Sequence, residues 1–197
     1  METKQFEQVA DVIANRRSVS WKKMNGRIIP RQTVSELLAL AHWAPTHGRT
    51  EPWFFYVYTD EAMKQFAAQH AELYKQHTPP EKYQDATYEK LMHNTDAASH
   101  LLIAVMKRGI NPKISQLEEV AAVSAAIQNI LLGATAAGIA SFWSTGGMTH
   151  THALKEHLGL GAEDIVMGLI FLGYTDEPAK PGLRTTVIDE KVKWVEF

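Results

Sequence analysis

The sequence predicts an α+β fold in which a sheet carries helices on both of its faces. Helix-like and strand-like segments follow one another along the chain without the regular rhythm of parallel β-α-β units. The chain has 197 residues, of which 45% are hydrophobic, and this is enough for one core and short for two. We therefore expect a single domain over residues 1–197.

The first half of the chain is predicted to contain three helices and one strand. Apolar residues at helical spacing predict a helix over about residues 4–15. A second helix is expected to begin at a capping box, in which the side chains of Thr33 and Glu36 each bond the other's backbone amide. The aromatic and β-branched run at 53–58 predicts a strand, and a helix at about 61–77 follows it.

The second half alternates strands and helices. The same patterns predict, in order, a loop and a short helix within 78–96, a strand at 101–106, a long helix at 117–137, a strand at 139–145, a short helix at 151–158 and a strand at 165–174.

Two of these segments indicate a partner subunit. The helix at 117–137 is apolar or small around nearly its whole circumference, which is typical of a helix buried on every side. In a domain of this size, such a helix is expected to run into a subunit interface. The tail from Thr175 ends in apolar and aromatic residues, which gain nothing in solvent. We expect it to dock, either as an edge strand or across a partner.

Composition excludes several classes of function. A formal net charge of −2 argues against a general nucleic-acid binder. The absence of cysteine excludes disulfides, thiolate metal sites and cysteine nucleophiles. No apolar run approaches the roughly 20 residues of a membrane span, and the polar start of the sequence does not resemble a signal peptide. A soluble cytoplasmic protein without a membrane partner is the expectation.

The first candidate motif is Arg16-Arg17-Ser18-Val19-Ser20, at the end of the first predicted helix. Guanidinium groups bind phosphate bidentately, and serine hydroxyls add donors. The alternative is a solvated helix end whose arginines lie near the negative end of the helix dipole. The chain has no glycine-rich phosphate loop. A phosphate site would therefore be built from side chains.

Two further motifs lie at loop positions. Residues 43–53 crowd polar and charged side chains between Trp43 and Trp53, which suits ligand binding or a simple helix-to-strand connection. The strand at 139–145 ends in Ser144-Thr145-Gly146-Gly147, which offers hydroxyls and close backbone approach, or only a flexible turn.

Other chemistries have weaker support. His150, His152 and His157 are possible metal ligands, but no nearby acidic residue completes the set, and solvent-exposed histidines are the better interpretation. No GxSxG nucleophile elbow is present, so no motif in the sequence supports a serine hydrolase.

Taken together, the motifs resemble the short branch of the nitroreductase family. Five elements carry the resemblance across almost the whole chain: Arg16 to Ser20, Ala44 to Trp53, Gly138 to Thr145, Ile165 to Gly173, and a basic tail with Lys180 and Arg184. Three positions depart from the family pattern. Arg49 and Glu51 replace the usual Asn and Gln, and Ser20 replaces an Arg.

The resemblance implies a nitroreductase-like fold, with a central, mostly antiparallel sheet flanked by helices and an intertwined homodimer that holds FMN between its subunits. It implies an NAD(P)H oxidoreductase that takes NADH or NADPH as donor, reduces nitroaromatic, quinone or similar small electron-poor acceptors by ping-pong chemistry, and requires no side-chain acid. The implied cofactor-binding residues toward the phosphate are Arg16, Ser18 and one of Lys180 or Arg184, and those toward the ribityl chain or ring are Ser144 and Thr145. Trp43 and His47 are implied to reach the flavin of the neighbouring subunit. Arg17 and Trp143 are implied to bind the cofactor without a more specific role.

The departures at Arg49 and Glu51 keep a second hypothesis open, a flavin-binding carrier or sensor of the same fold without turnover. A globular dimer without any cofactor is the remaining alternative.

Overall fold

Four strands form one antiparallel sheet in residues 3–196, the part of the chain that the computed structural model describes. They are β1 (Trp53–Thr59), β2 (His100–Met106), β3 (Ala140–Ser144) and β4 (Ile165–Gly173). They lie in the order β1-β2-β4-β3, and each neighbouring pair is antiparallel. The expected antiparallel sheet is confirmed, and β1 and β3 are its edge strands.

Six α-helices accompany the sheet in the described residues. They are α1 (Lys4–Asn15), α2 (Arg31–Ala41), α3 (Asp60–His77), α4 (Asp85–Met92), α5 (Gln116–Ala136) and α6 (His152–His157). Apart from α2, the boundaries predicted for helices and strands agree with the structure to within one residue.

The prediction of a capping box at Thr33 and Glu36 is wrong. The helix α2 begins earlier, at Arg31, and no side chain caps this end. The residue before it, Pro30, has a φ of −58°, which already suits the start of a helix. The chain therefore enters the helix directly after the proline.

The sheet separates two hydrophobic clusters, because alternate residues of a strand point to opposite faces. On β2, Leu102 and Ala104 pack with residues of α2 and α5, whereas Leu101 and Ile103 pack with residues of α3 and α6. The helix α4 packs on α3. Helices thus cover both faces of the sheet, as the sequence predicts.

The long helix α5 buries one face within this subunit. Most of its buried residues join the cluster between α2 and the sheet, while Ala121, Gln128 and Ala136 are exposed. Burial on every side is therefore not achieved by one chain, and the subunit interface remains a prediction. Among the described residues, α5 is also the one helix long and apolar enough to cross a membrane, a weak indication because core helices of globular proteins share these properties.

Two segments leave apolar side chains uncovered. No residue of α1 is buried, and Phe6, Val9 and Ile13 are each more than half exposed. The tail adds no strand to the sheet in the described residues and forms only a short 3-10 turn at Ile188–Lys191. Near its end, Trp194 is 84% exposed. The predicted edge strand within the chain's own sheet is not observed, and docking across a partner stays a prediction.

Candidate functional site

The segment after α1 runs along the free edge of β3. The backbone N–H of Val19 donates to the carbonyl of Ser141 at 2.9 Å, and Ser18 pairs with Ser141 in a parallel bridge. The helix α1 ends just before this segment, where the backbone N–H of Arg16 donates to the carbonyl of Val12. The first and third sequence motifs, which lie far apart in the chain, are thereby brought side by side.

A cavity of about 430 Å³ opens beside this edge, where α1, the end of α5 and the beginning of the tail meet. Its lining includes the side chains of Arg17, Ser18, Lys23 and Lys180. The one acidic residue of the lining, Glu177, is paired with Lys23 at 2.5 Å. Cations and hydroxyl groups around an open cavity are the donor set that a phosphate group requires.

The two arginines of the first motif play different roles. The guanidinium of Arg17 donates to three carbonyl oxygens, those of Ala14 at 2.7 Å, Lys180 at 2.8 Å and Arg16 at 2.9 Å. Arg17 therefore ties the tail to the end of α1. The side chain of Arg16 makes a single long contact in the described residues, 3.5 Å from its Nη1 to the hydroxyl of Ser18. Its guanidinium remains available to an anion.

The other predicted phosphate ligands separate in the same way. Lys180 lines the cavity, whereas Arg184 is not among the lining residues and donates instead to the carbonyl of Leu183. The glycine at 182 lets the tail approach Arg17 closely, since a Cβ there would lie 2.8 Å from a guanidinium nitrogen.

At the end of β3, Trp143 has a structural role, whereas the side chains of Ser144 and Thr145 are accessible to a ligand. The indole N–H of Trp143 donates to the carbonyl of Met167 at 3.0 Å, and a side chain at Gly168 would overlap the indole ring. Trp143 is therefore committed to the packing of β3 on β4. Ser144 is half-buried and accepts a hydrogen bond from the backbone N–H of Gly146 at 3.3 Å, while Thr145 is exposed.

The turn that follows β3 is held from behind by a buried histidine. The Nε2 of His70, on α3, accepts a hydrogen bond from the backbone N–H of Met148 at 2.8 Å. Burial, and to a lesser extent the charge of His157, lower the pKa of His70 to about 4. Its ring is therefore neutral at pH 7. This residue was not predicted from the sequence, where its signal is a single polar side chain among the apolar residues of the buried face of α3.

The polar loop at 43–53 lies at the opposite end of the subunit, beside the start of α5. The imidazole of His47 bonds the carboxylate of Glu118 at 2.8 Å. The loop's own hydroxyls brace it, because Thr46 and Thr50 lie 3.0 Å apart and Thr46 accepts the backbone N–H of Glu51. Trp43 projects from the loop with 84% of its surface exposed.

The carboxylate that holds His47 is itself fixed by a capping box. Glu118 accepts from the backbone N–H of Ser115 at 2.8 Å and from its hydroxyl at 3.0 Å, and the hydroxyl of Ser115 accepts from the backbone of Glu118. These bonds from Ser115, together with that from His47, lower the pKa of Glu118 to about 2. An ionised acceptor therefore faces the Nδ1 of His47 at neutral pH, so that Nδ1 carries a proton.

The two halves of the expected site do not meet within one subunit. Thr135, near the end of α5, lies in the wall of the cationic cavity, whereas Glu118, in the first turn of α5, contacts His47. At a rise of 1.5 Å per residue, these two positions are about 26 Å apart along the helix axis.

The histidines considered as metal ligands have other contacts. His150 donates from Nδ1 to the carbonyl of Val166, and His152 lies 3.3 Å from Glu156. Among residues 3–196, no three histidine, aspartate or glutamate side chains come together in a group that could hold a metal ion.

The structure thus defines an α+β protein with a cavity at the edge of its sheet, lined in part by Ser18 and Lys180, and with a polar loop at the other end of α5. The sequence model of the nitroreductase family matches residues 13–174. The chain belongs to the nitroreductase family, which confirms the resemblance found in its motifs.

Individual relatives agree with this assignment. The "Putative NAD(P)H nitroreductase YfhC" of Bacillus subtilis (strain 168) is 28% identical over 195 residues, which cover 95% of this chain and 96% of that protein. The crystal structure of a nitroreductase-like family protein from Bacillus cereus matches with a TM-score of 0.79 at 24% identity, over 100% of this chain and 98% of that one. A "putative nitroreductase in complex with FMN" from Desulfovibrio desulfuricans matches with a TM-score of 0.71 at 20% identity, over 100% and 99%. The nitroreductase-like fold is thereby confirmed.

Proposed function

We propose that this protein is an FMN-dependent NAD(P)H oxidoreductase that reduces nitroaromatic, quinone or similar electron-poor acceptors by a ping-pong mechanism. The observation that carries the proposal is the cationic cavity beside Ser18, in a chain of the nitroreductase family. An FMN-bound relative of the same fold adds support. We place the protein in the cytoplasm, acting on small molecules.

The residues present fit the phosphate of FMN. Arg16 does not line the cavity itself, but its guanidinium contacts Ser18, which does, and Lys180 contributes a cation to the lining. A charge-assisted hydrogen bond to a phosphate is stronger than one between neutral groups. We assign the phosphate grip to Arg16, Ser18 and Lys180, and we assign Arg17 the task of holding the tail in place.

The residues after β3 would face the rest of the cofactor. The hydroxyls of Ser144 and Thr145 can bond the ribityl chain or the ring edge, and the exposed Gly146 leaves room for close approach of a flat ring. Trp143 would support this surface through its packing, because its indole N–H is already used by Met167.

When bound, FMN would supply the redox chemistry, a two-electron exchange between NADH or NADPH and an acceptor. The protein binds and orients the two reactants in turn on the same open surface. No side-chain acid is assigned, because solvent can supply the protons that the reduced acceptor takes up.

We further propose that the working unit is an intertwined two-fold homodimer. If α5 pairs with its partner's α5 in antiparallel fashion, the start of each helix lies beside the end of the other. Trp43 and His47 of one subunit then lie beside the cavity of the partner. Within one subunit, the loop and the cavity are too far apart for a single FMN molecule to contact both. The exposed side of α5 carries the small residues Ala121 and Ala136, which suit such close pairing.

The uncovered apolar surfaces point to the same assembly. A helix of 12 residues such as α1, with no buried side chain, is marginal in water without a partner. The edge strand β1 exposes Phe54 and Val57, and the tail exposes Leu183 and Trp194. A dimer that covers these surfaces is expected to bury more than a standard interface of about 1,600 Å².

The test is the absorbance spectrum of the purified protein. A flavin spectrum that bleaches on addition of NADH or NADPH and returns on addition of a quinone or nitroaromatic supports the oxidoreductase. Flavin that no nicotinamide reduces would favour the carrier or sensor, the hypothesis that the departures at Arg49 and Glu51 keep open. A colourless protein that takes up no added FMN would contradict both.

A further inference from the structure

We propose that His70 is a positioning residue that fixes the turn after β3, residues 145–148, in the shape that receives the flavin. The inference rests on the proposed function, since it takes this turn as part of the FMN site. His70 itself is fully buried and would not touch the cofactor.

Two contacts of His70 act on neighbouring points of the turn. Its Nε2 accepts the backbone N–H of Met148 at 2.8 Å. Its ring also lies against Gly147, where a Cβ would come within 2.8 Å of Nε2. Gly147 has a φ of +65°, a left-handed conformation that glycine adopts without strain. The ring and the glycine together fix both the path and the depth of the turn.

Two further hydrogen bonds, made by residues that flank the turn, hold its middle at Gly146. The hydroxyl of Ser144 accepts from the N–H of Gly146, and the hydroxyl of Thr149 donates to the carbonyl of Gly146 at 2.6 Å. The residues between them, Thr145 to Gly147, are exposed on the outer side. His70 therefore braces the inner side of a turn whose outer side is open to a ligand.

The choice of histidine indicates that a hydrogen-bond acceptor is needed here. Because Nε2 accepts a bond, the proton of the neutral ring is on Nδ1, and Nδ1 has no protein partner among the described residues. A buried donor without a partner is destabilising, and an apolar side chain of similar size would avoid that cost. Such a side chain would, however, leave the N–H of Met148 without an acceptor. The neutral ring, favoured by the lowered pKa of His70, keeps that acceptor in place at pH 7.

The experiment compares His70→Leu, which removes the acceptor, with His70→Gln, whose side-chain oxygen can replace it. The matched control is His157→Gln, a histidine on α6 that bonds Gln69 and does not contact the turn. Two quantities are measured in each purified dimer: amide hydrogen exchange of the peptide that contains residues 145–149 in the FMN-free protein, and the dissociation constant and off-rate of FMN.

We expect His70→Leu to speed exchange in this peptide and to weaken FMN binding about tenfold, equivalent to about 1.4 kcal/mol, mainly through a faster off-rate. His70→Gln is expected to stay within about twofold of the unchanged protein, as is His157→Gln. Rescue by glutamine separates the acceptor from simple filling of space.

Several outcomes would overturn the inference. A folded His70→Leu protein with unchanged exchange and FMN affinity would do so, as would a glutamine variant as impaired as the leucine variant. If His70→Leu does not fold, Gly147→Ala disturbs the same contact, because the added Cβ would lie 2.8 Å from Nε2 of His70. This variant must then raise both the amide exchange of the peptide and the dissociation constant of FMN. If the unchanged protein binds no FMN, the proposed function fails and the flavin role of the turn falls with it, while the exchange data still decide whether His70 fixes the turn.

Discussion

Two inactive variants of this protein are predicted to restore activity to each other when their subunits mix. The first variant carries Arg16→Ala and Ser18→Ala and lacks the phosphate grip in both sites of its dimer. The second carries Trp43→Ala and His47→Ala and lacks the loop that we assign to the neighbouring subunit. Because Thr135 in the cavity wall and Glu118 beside His47 lie about 26 Å apart along α5, the proposed dimer assigns these two groups to different sites.

The size of the recovery follows from this arrangement. In a mixed dimer, one site combines the defective grip of the first subunit with the defective loop of the second, and the other site is intact. Random pairing makes about half of all dimers mixed, and each has one working site of two, so about a quarter of the sites recover. Flavin content and the steady-state rate with NADPH and a quinone, measured after joint unfolding and refolding, give this fraction.

The control is each variant refolded alone, which must stay inactive, and a mixture of Arg16→Ala and Ser18→Ala chains, in which every dimer lacks part of both grips. Failure of the main mixture to exceed these controls, with mixed dimers demonstrated by mass spectrometry, would refute the shared site and the antiparallel pairing of α5 together.

Three further predictions address single residues. Arg16→Ala is expected to weaken FMN binding by about 1.5–3 kcal/mol, since a charged hydrogen bond is lost, and an unchanged affinity in a flavin fluorescence titration would return Arg16 to a solvated helix end. His47→Ala is expected to shift flavin occupancy or reduction potential while sedimentation still shows a dimer, and equal flavin content and rates would argue against any contact with the cofactor. Acid is expected to destabilise the fold through His70: between pH 6.5 and 4 the unfolded chain binds a proton that the folded protein excludes, and about 3 kcal/mol of unfolding free energy is lost as pH falls. Denaturant titrations across this range check the loss, and His70→Gln should reduce the dependence of the unfolding free energy on pH.

The sequence predicted the elements of the fold well because their signals are local. The strand at 53–58 is marked by its aromatic and β-branched residues, and the helix at 117–137 by its apolar residues. Both lie within one residue of their predicted ends. The error at Thr33 has a local cause as well, since a proline immediately upstream began the helix before the capping motif. Pairings between distant segments had no such signal.

The candidate site depends on those distant pairings. His47 and Glu118 are separated by 71 residues, and Arg17 bonds the carbonyl of Lys180 across 163 residues. The sequence places Arg16 and Arg17 in one motif, whereas only the fold shows that carbonyl oxygens occupy the guanidinium of Arg17. In the same way, the local signal of His70, one polar residue on the apolar face of α3, does not reveal that its ring bonds the backbone of Met148.

The departures from the family pattern at Arg49 and Glu51 concern side chains on a loop whose backbone path is held by other residues. Both have left-handed backbones, with φ of 55° and 44°, which cost non-glycine residues roughly 1–3 kcal/mol each. Asparagine, the usual family residue at the first position, adopts this conformation more easily than arginine.

The loop nevertheless keeps its shape, because the hydroxyl of Thr46 contacts Thr50 and accepts the N–H of Glu51. Strain of this kind persists only where the surroundings over-determine it, and it is concentrated at ligand-binding loops. We infer that the path of this loop serves a bound ligand and that the two substitutions alter the charge presented to that ligand, so the choice of donor or acceptor is where their effect should be sought.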